Sequence, residues 1–475
     1  MKKRVWKWTA AVLLILCLCL AVYIGNQETV LTIGVYSGSY WNTPNGNCYE
    51  ILDEAIALFE GSHPGVKVEY VSGIPAGDYS EWLAGQIMMG TEPDLYFVLP
   101  EDFNLLVSSG ALAQLDERIA ADPEFDTVVY YEPCLRSGQY NGKQYALPHE
   151  SVPTIMFVNK TLLEVNGIPM PDNDWTWEDF YSICQQVTNV EQRQYGVYGY
   201  SWLDAMYSNG ASLFSEDGRS CYLAEEKVLE AIQFAKRLNE LNGGYNVTSR
   251  DFDVGRVAFC PLNYSEYRAY QPYPWRVKKY SAFEWDCVTM PAGPSGTNIS
   301  ELHTMMLGIS SRTHQADLAW EFCKLLSIDE DVQRKLYTQS HGISPIPAVA
   351  EDPELLQEVH HDIPEGSGFS PEMIRQIMSN AVVVPKFDAY NQAVNMAESA
   401  IADSANSQLG QSGMLIAESE INLFLNKYPI FLQYKGLSGN SGQALVLRFA
   451  QKFCAYFCKS DSLFDKARKT MTNVI

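Results

Sequence analysis

Three observations predict an α/β fold built as more than one domain. Strand-like and helix-like segments alternate from residue 29 onward, the chain runs to 475 residues, and 47% of it is hydrophobic. That length exceeds one ordinary core, and that composition is normal for a globule. TVLTIGVY (29–36) is β-rich and long enough for a buried first strand. A polar, Gly-rich loop (37–47) follows and carries Tyr40 and Trp41. Residues 49–60 have helical spacing, with Ile51, Ala55, Leu58 and Phe59 on one face, and the stop at 61–65 contains Pro64. VKVEYV (66–71) reads as a second strand, 79–89 as a second helix and PDLYFVLP (93–100) as a third strand. This order within about seventy residues predicts an α/β lobe with a largely parallel sheet.

Further along, 103–109 reads as a helix, YALP (145–148) as a short strand and TIMFVNK (154–160) as another strand. Thr176 is placed to cap a helix running to about Thr188, with Glu178 and Asp179 at its positive end. Strands are expected at 195–200, 256–262, 284–290 and 305–309, and helices at 225–241 and 316–326. Residues 371–428 are mainly helical, with a loop near 410–413. The end of the chain differs from the rest. Gly436 to Gly442 is a Gly/Ser/Asn linker, 445–457 is apolar and helical in pattern, and 459–475 is basic.

The N-terminus carries Lys2, Lys3, Arg4 and Lys7 ahead of an apolar run at about 9–24. That run falls a little short of the roughly 20 apolar residues of a full span, so residues 1–28 read as a signal peptide or a membrane anchor. The remaining chain is expected outside the cytoplasm, tethered to the outer face of the cytoplasmic membrane or secreted. Cys17 and Cys19 read as apolar filler, because Leu16 and Leu18 precede them where lipidation favours small residues. The formal charge of −23 excludes a phosphate-tracking surface, so no nucleic-acid partner is expected. It suits a neutral or cationic ligand. The 11 cysteines lack zinc-site spacing, and most read as buried free thiols.

No motif of catalysis is present: no Gly-rich phosphate loop, no HExxH helix and no GxSxG elbow. His360 and His361 are neighbours and point to different sides, which chelates poorly. No enzymatic activity, metal or cofactor is expected.

A series of segments then points to a family. PDLYFV is followed by SGALAQLDE (109–117), YNGKQYALP (140–148), MFVNKTLLEVNGIPMP (156–171) and WTWEDF (175–180). FDVGRVAF (252–259), VTMPAGPSG (288–296) and LGISSRTHQADLAWEFCKLLS (307–327) complete it. In order and spacing, over residues 29–428, the chain resembles the extracellular solute-binding proteins of ABC importers, in the sugar-binding group that includes maltose-binding protein. The resemblance implies a two-lobed, periplasmic-binding-protein-like (type II) α/β fold with a ligand cleft between lobes. It places one lobe at about 29–148 plus 305–340 and the other at 149–304 plus 341–434, with the first crossing near 148–153. Residues 435–475 are left as linker and basic tail. It implies a monomer that captures a carbohydrate and hands it to ABC permease subunits, without a cofactor. A sensor docking on a membrane receptor, or a binder of a non-sugar solute, is the alternative.

A sugar cleft needs aromatic platforms for apolar ring faces and polar side chains for hydroxyls. Tyr40 and Trp41 follow the first strand, where open α/β sheets place ligands. Trp202 follows a strand, and the resemblance places Trp202, Asn209 and Gly210 on the cleft. Asp94 is a further polar candidate, and Glu150 lies at the crossing. Tyr264 follows the 256–262 strand, where the family often has a Gly-x-Trp-like stretch. His303 stands where the family often has a Gly pair, and Tyr390 supplies another ring. Trp175, Trp177 and Trp320 fit helical packing instead.

Overall fold

The computed structural model describes residues 28–41, 49–270, 283–359, 369–384, 387, 389–406 and 410–427. The apolar start, the His360 and His361 pair, the Gly/Ser/Asn linker and the basic tail lie outside these residues. Among the described residues, no helix is long and apolar enough to cross a membrane.

The strands are β1 (Thr29–Gly34), β2 (Val66–Tyr70), β3 (Leu95–Val98), β4 (Gln139–Tyr140), β5 (Lys143–Gln144), β6 (Ala146–Asn159), β7 (Tyr195–Val197), β8 (Val257–Asn263), β9 (Trp285–Val288), β10 (Glu301–Ile309) and β11 (Val382–Val383). A 9-stranded sheet has the order β2-β1-β3-β10-β6-β8-β7, with β11 on β10 and β9 on β6. β1 runs parallel to β2 and β3, and β7 parallel to β8, as expected of strands joined through helices. The middle is different. β10 is antiparallel to both β3 and β6, and β6 is antiparallel to β8 and β9, so the sheet as a whole is mixed rather than largely parallel.

β6 explains why two short strands were expected where one 14-residue strand stands. Pro148 and Pro153 lack an N–H and read as interruptions. In the sheet, Ala146 to Pro153 pair with β10, whereas Thr154 onward pair with β8 and β9. Pro153 sits where the strand changes partner. The β10 ladder shifts between Met305 and Met306, opposite Glu150 and Pro148, which leaves His149 as the extra residue of a bulge. The bulge resets the alternation of side chains just before Glu150.

Buried apolar residues form two clusters. One is built on β1, β3, β6 and β10 with Leu31, Tyr96, Leu147 and Met306, and reaches Tyr264 and Tyr267. The other gathers Trp175, Trp177, Phe180, Phe234 and Phe259. Trp175, Trp177 and Trp320 are all buried, as helical packing predicts. Thr176 caps helix Trp177–Val187 in a reciprocal box with Asp179. Cys134, Cys184, Cys221, Cys260, Cys287 and Cys323 are buried free thiols. Burial pushes Cys221 up to about 11 and Cys134 up to about 12, which makes them inert. The loop expected at 410–413 is instead the first turn of helix Gly410–Lys427, where glycine is tolerated because backbone pairing is incomplete there.

Candidate ligand-binding site

Three sequence-predicted residues meet at the centre of the sheet. Trp41, in the loop after β1, is buried and donates its Nε1–H to Glu150 Oε2 at 2.8 Å. Glu150 Oε1 accepts from the Gly342 N–H at 2.7 Å and from the Ser340 hydroxyl. Both carboxylate oxygens are therefore engaged, in a residue only 6% exposed. A Cβ at Gly342 would overlap the Glu150 side chain, so only glycine fits there. Tyr40 lies edge-on to Trp41, with ring centroids 4.8 Å apart, and donates its hydroxyl to Glu101 at 2.6 Å. Burial and the Glu101 carboxylate both push the Tyr40 hydroxyl well above its usual range, so it stays a donor.

The second side of this centre is the helix Tyr264–Tyr270, which follows β8. Tyr264 is fully buried; its hydroxyl donates to that of Tyr337 at 3.3 Å, and its ring stacks on Phe369. The structure thus places the Tyr264 ring in the core, against the rings of Tyr267 and Phe369, rather than on an open surface. The helix Glu330–Gln339 supplies Tyr337 as the partner of the Tyr264 hydroxyl. Arg268 completes the contact. Its Nη1 donates to the Tyr337 and Ser340 carbonyls at 2.6 and 2.5 Å, and its Nη2 to Thr338 at 3.2 Å. Ser265 Oγ donates to the Trp41 carbonyl at 3.5 Å.

A second group lies beyond the crossing strands. Trp202 is not in a loop: it is the first residue of helix Trp202–Ser208, capped by a reciprocal box between Ser201 and Asp204. Its half-buried ring packs against the second apolar cluster. Tyr390 opens helix Tyr390–Asn406, and its hydroxyl is 3.4 Å from that of Tyr207. His303, on β10 opposite Val152, pairs with Glu301 at 3.2 Å and keeps 44% of its side chain exposed. Glu301 acts electrostatically on Asp204, Tyr207 and Tyr390 alike, which places these groups together.

Burial, with Glu301 adding to it, pushes the Asp204 carboxyl up to about 6, although Ser201 donates to it twice. The folded chain therefore holds this proton where the unfolded chain, with an ordinary Asp value of ~3.9, has released it. Asp204 thus favours folding below pH ~4 and loses that contribution as pH rises to about 6. Urea unfolding between these limits should show stability falling more steeply in the parent than in Asp204→Asn. Equal slopes would remove Asp204 from the account.

Three predicted residues are placed elsewhere. Asn209 is fully buried as the cap of its helix; Nδ2 donates to the Lys227 carbonyl and to Glu230, and Oδ1 accepts from the Ser295 N–H at 3.0 Å. Gly210 has φ 65°, the left-handed turn that ends the helix. The Asn-Gly pair therefore forms a helix stop. Asp94 precedes β3, at the opposite end of the strand from where ligands bind. Its Oδ2 accepts from the Thr32 N–H and hydroxyl at 2.9 and 2.7 Å, and its Oδ1 accepts from Thr313 at 2.5 Å. It ties β1 to the segment that follows β10.

The sequence reading missed Arg268, Ser340 and Gly342, whose contacts join segments 69 to 192 residues apart. No local pattern signals such contacts. Among the described residues, no group of three His, Cys, Asp or Glu is set to hold a metal ion.

Two α/β halves joined by β6 and β10, with aromatic and carboxylate side chains at the junction, define a two-lobed solute-binding protein. The comparisons agree with that class. The model of the bacterial extracellular solute-binding protein family matches residues 54–362, and the chain belongs to this family. It is 22% identical over 338 residues to a galactooligosaccharide-binding protein of Bacillus subtilis, covering 67% of this chain and 76% of that one. It is also 22% identical over 274 residues to an uncharacterised lipoprotein of Streptomyces antibioticus, covering 51% of this chain and 56% of that one. The cyclic α-maltosyl-1,6-maltose binding protein of Arthrobacter globiformis shares the fold with a TM-score of 0.69 at 16% identity, covering 84% of this chain and 100% of that one.

Proposed function

We propose that this chain captures a carbohydrate by lobe closure outside the cytoplasm and delivers it to ABC transporter permease subunits. The observation that carries this reading is the junction of Tyr40, Trp41 and Glu150 near where β6 changes partner, in a chain of the solute-binding family, and we assign Trp202, His303 and Tyr390 to the same cleft. Aromatic rings beside fixed carboxylates suit the mixed apolar and hydroxylated surface of a sugar. The sugar ligands named for the Bacillus and Arthrobacter relatives support the same class. The lipoprotein relative supports tethering to the outer face of the membrane. We assign 29–148 plus 305–340 to one lobe and 149–304 plus 341–434 to the other. Ligand contacts made only in the closed state shift the lobe equilibrium, and the permease reads that state. The protein works as a monomer, and it releases its ligand chemically unchanged.

The test is a thermal-shift screen of the full chain, in mild detergent, against mono- and oligosaccharides, with polyamines, amino acids and short peptides as contrast. A ligand at 100 times its Kd stabilises the fold by about 2.7 kcal/mol. A glycan is expected to raise the melting temperature of the parent, and Trp202→Ala to lose that shift while melting close to the parent without ligand. Mass spectrometry should recover the glycan intact. A shift with a charged solute and none with any sugar would overturn the substrate class, and a cleaved glycan would overturn simple binding.

A further inference from the structure

Helix Gly410–Lys427 has apolar side chains on two faces. Met414, Ile421 and Leu425 are buried against the rest of the protein. Leu415, Ile416 and Leu423 point the other way and are 52%, 57% and 61% exposed. The helix cannot rotate to hide them. Asn422 Oδ1 accepts from the Cys221 N–H at 2.7 Å, and Glu418 Oε2 from the Ala224 N–H at 2.7 Å, so its inner face is fixed by polar contacts. A single exposed leucine is ordinary, but three within about two turns of one face form a docking stripe. Leu415, Ser419 and Leu423 follow i, i+4, i+8 spacing, with the small Ser419 between the two leucines.

We propose that residues 443–457 of this same chain cover that stripe as a helix. Three observations single out this occupant. The segment has the matching pattern: Leu445, Phe449 and Phe453 fall at i, i+4, i+8, and Arg448 and Lys452 fall beside them. The charges are complementary. The pair of helices Tyr390–Asn406 and Gly410–Lys427 carries Glu398, Asp403, Glu418 and Glu420 against Lys427 alone, while the segment from 443 onward is basic. Glu420 is exposed next to the stripe, where it offers a charge opposite to those of Arg448 and Lys452. The connection also reaches. The described helix ends at Lys427, and residues 428–444, with Gly436, Gly439 and Gly442, can span up to about 56 Å at roughly 3.3 Å per residue. The whole helix needs about 27 Å. The segment then closes an apolar face that would otherwise stay in water.

Hydrogen–deuterium exchange on the full chain tests this. The amides of 445–457 are expected to be protected in the parent and to exchange at least ~10-fold faster in Leu415→Asp/Leu423→Asp. Peptides from 410–427 should stay protected in that variant, because both positions are exposed and the helix remains held by its inner face. Phe449→Asp/Phe453→Asp should release the segment equally. Identical exchange of 445–457 in the parent and both variants would overturn the proposal. So would a concentration-dependent dimer lost in Leu415→Asp/Leu423→Asp, which would assign the stripe to a second copy. Binding to anionic vesicles that is lost in Phe449→Asp/Phe453→Asp but unchanged in Leu415→Asp/Leu423→Asp would assign the segment to lipid, and would also overturn it.

Discussion

Glu150→Ala is expected to cost about 2–4 kcal/mol of folding stability, read from denaturant midpoints at neutral pH. The carboxylate accepts from Trp41 Nε1, Ser340 Oγ and Gly342 N in a buried position. Removing it strands three donors at once, and a buried donor without a partner costs more than a lost bond. Glu150→Gln is the sharper experiment, because it keeps the shape. Its amide has one accepting oxygen, so its NH2 must face either the indole N–H or the Ser340 and Gly342 donors. A donor is then set against a donor, and the loss should approach that of the alanine variant. Glu101→Gln serves as the control. Glu101 is exposed and accepts only the Tyr40 hydroxyl among the hydrogen bonds of this site, so its loss should stay below ~1 kcal/mol. A Glu150→Gln protein as stable as the parent would show that the carboxylate is not the strut described. The same variant should weaken ligand-induced stabilisation, since Trp41 is held in place through Glu150.

The features that were legible in the sequence are those with local causes. The alternation of strands and helices through β3, the Thr176 cap and the packing tryptophans all rest on spacing or on neighbours within four residues. Trp41 and Glu150 were visible for a similar reason: one follows a strand and the other sits at a strand crossing. Asn209 and Gly210 have a local role that the pair itself signals, because Asn-Gly favours a turn, and here that turn stops a helix. Asp94 offered a polar side chain beside a strand, yet its partners Thr32 and Thr313 lie 62 and 219 residues away, which no local pattern reveals. β6 was broken in two because Pro148 and Pro153 are strand interruptions in isolation. They are tolerated where a bulge and a change of partner relieve the ladder. Tertiary context decided each of these outcomes.

Arg268→Ala should produce the second large effect, and its position gives the effect a mechanical meaning. The helix Glu330–Gln339 packs on helices Glu50–Ser62 and Ala316–Ile328 on the β1 side of the sheet, whereas helix Tyr264–Tyr270 packs on β6 and β8. On the proposed division, the guanidinium therefore reaches from one lobe to the other. It meets the end of a helix, where the last carbonyls lack partners within the helix and carry partial negative charge. Three carbonyls are satisfied by one cation, and hydrogen bonds from a charged donor are worth about 1.5–3 kcal/mol net. The alanine variant should lose about 2–3 kcal/mol of stability on that scale. Arg268→Lys should recover less than half, because an ammonium is a point charge and cannot reproduce the fork that spans the Tyr337, Thr338 and Ser340 carbonyls. Small-angle scattering without ligand separates a clamp from a purely local brace. A clamp predicts a larger radius of gyration in Arg268→Ala, which returns toward the parent value when ligand closes the lobes. A radius unchanged by the substitution would confine Arg268 to local stability, and lobe closure would then rest on ligand contacts and the Glu150 strut alone.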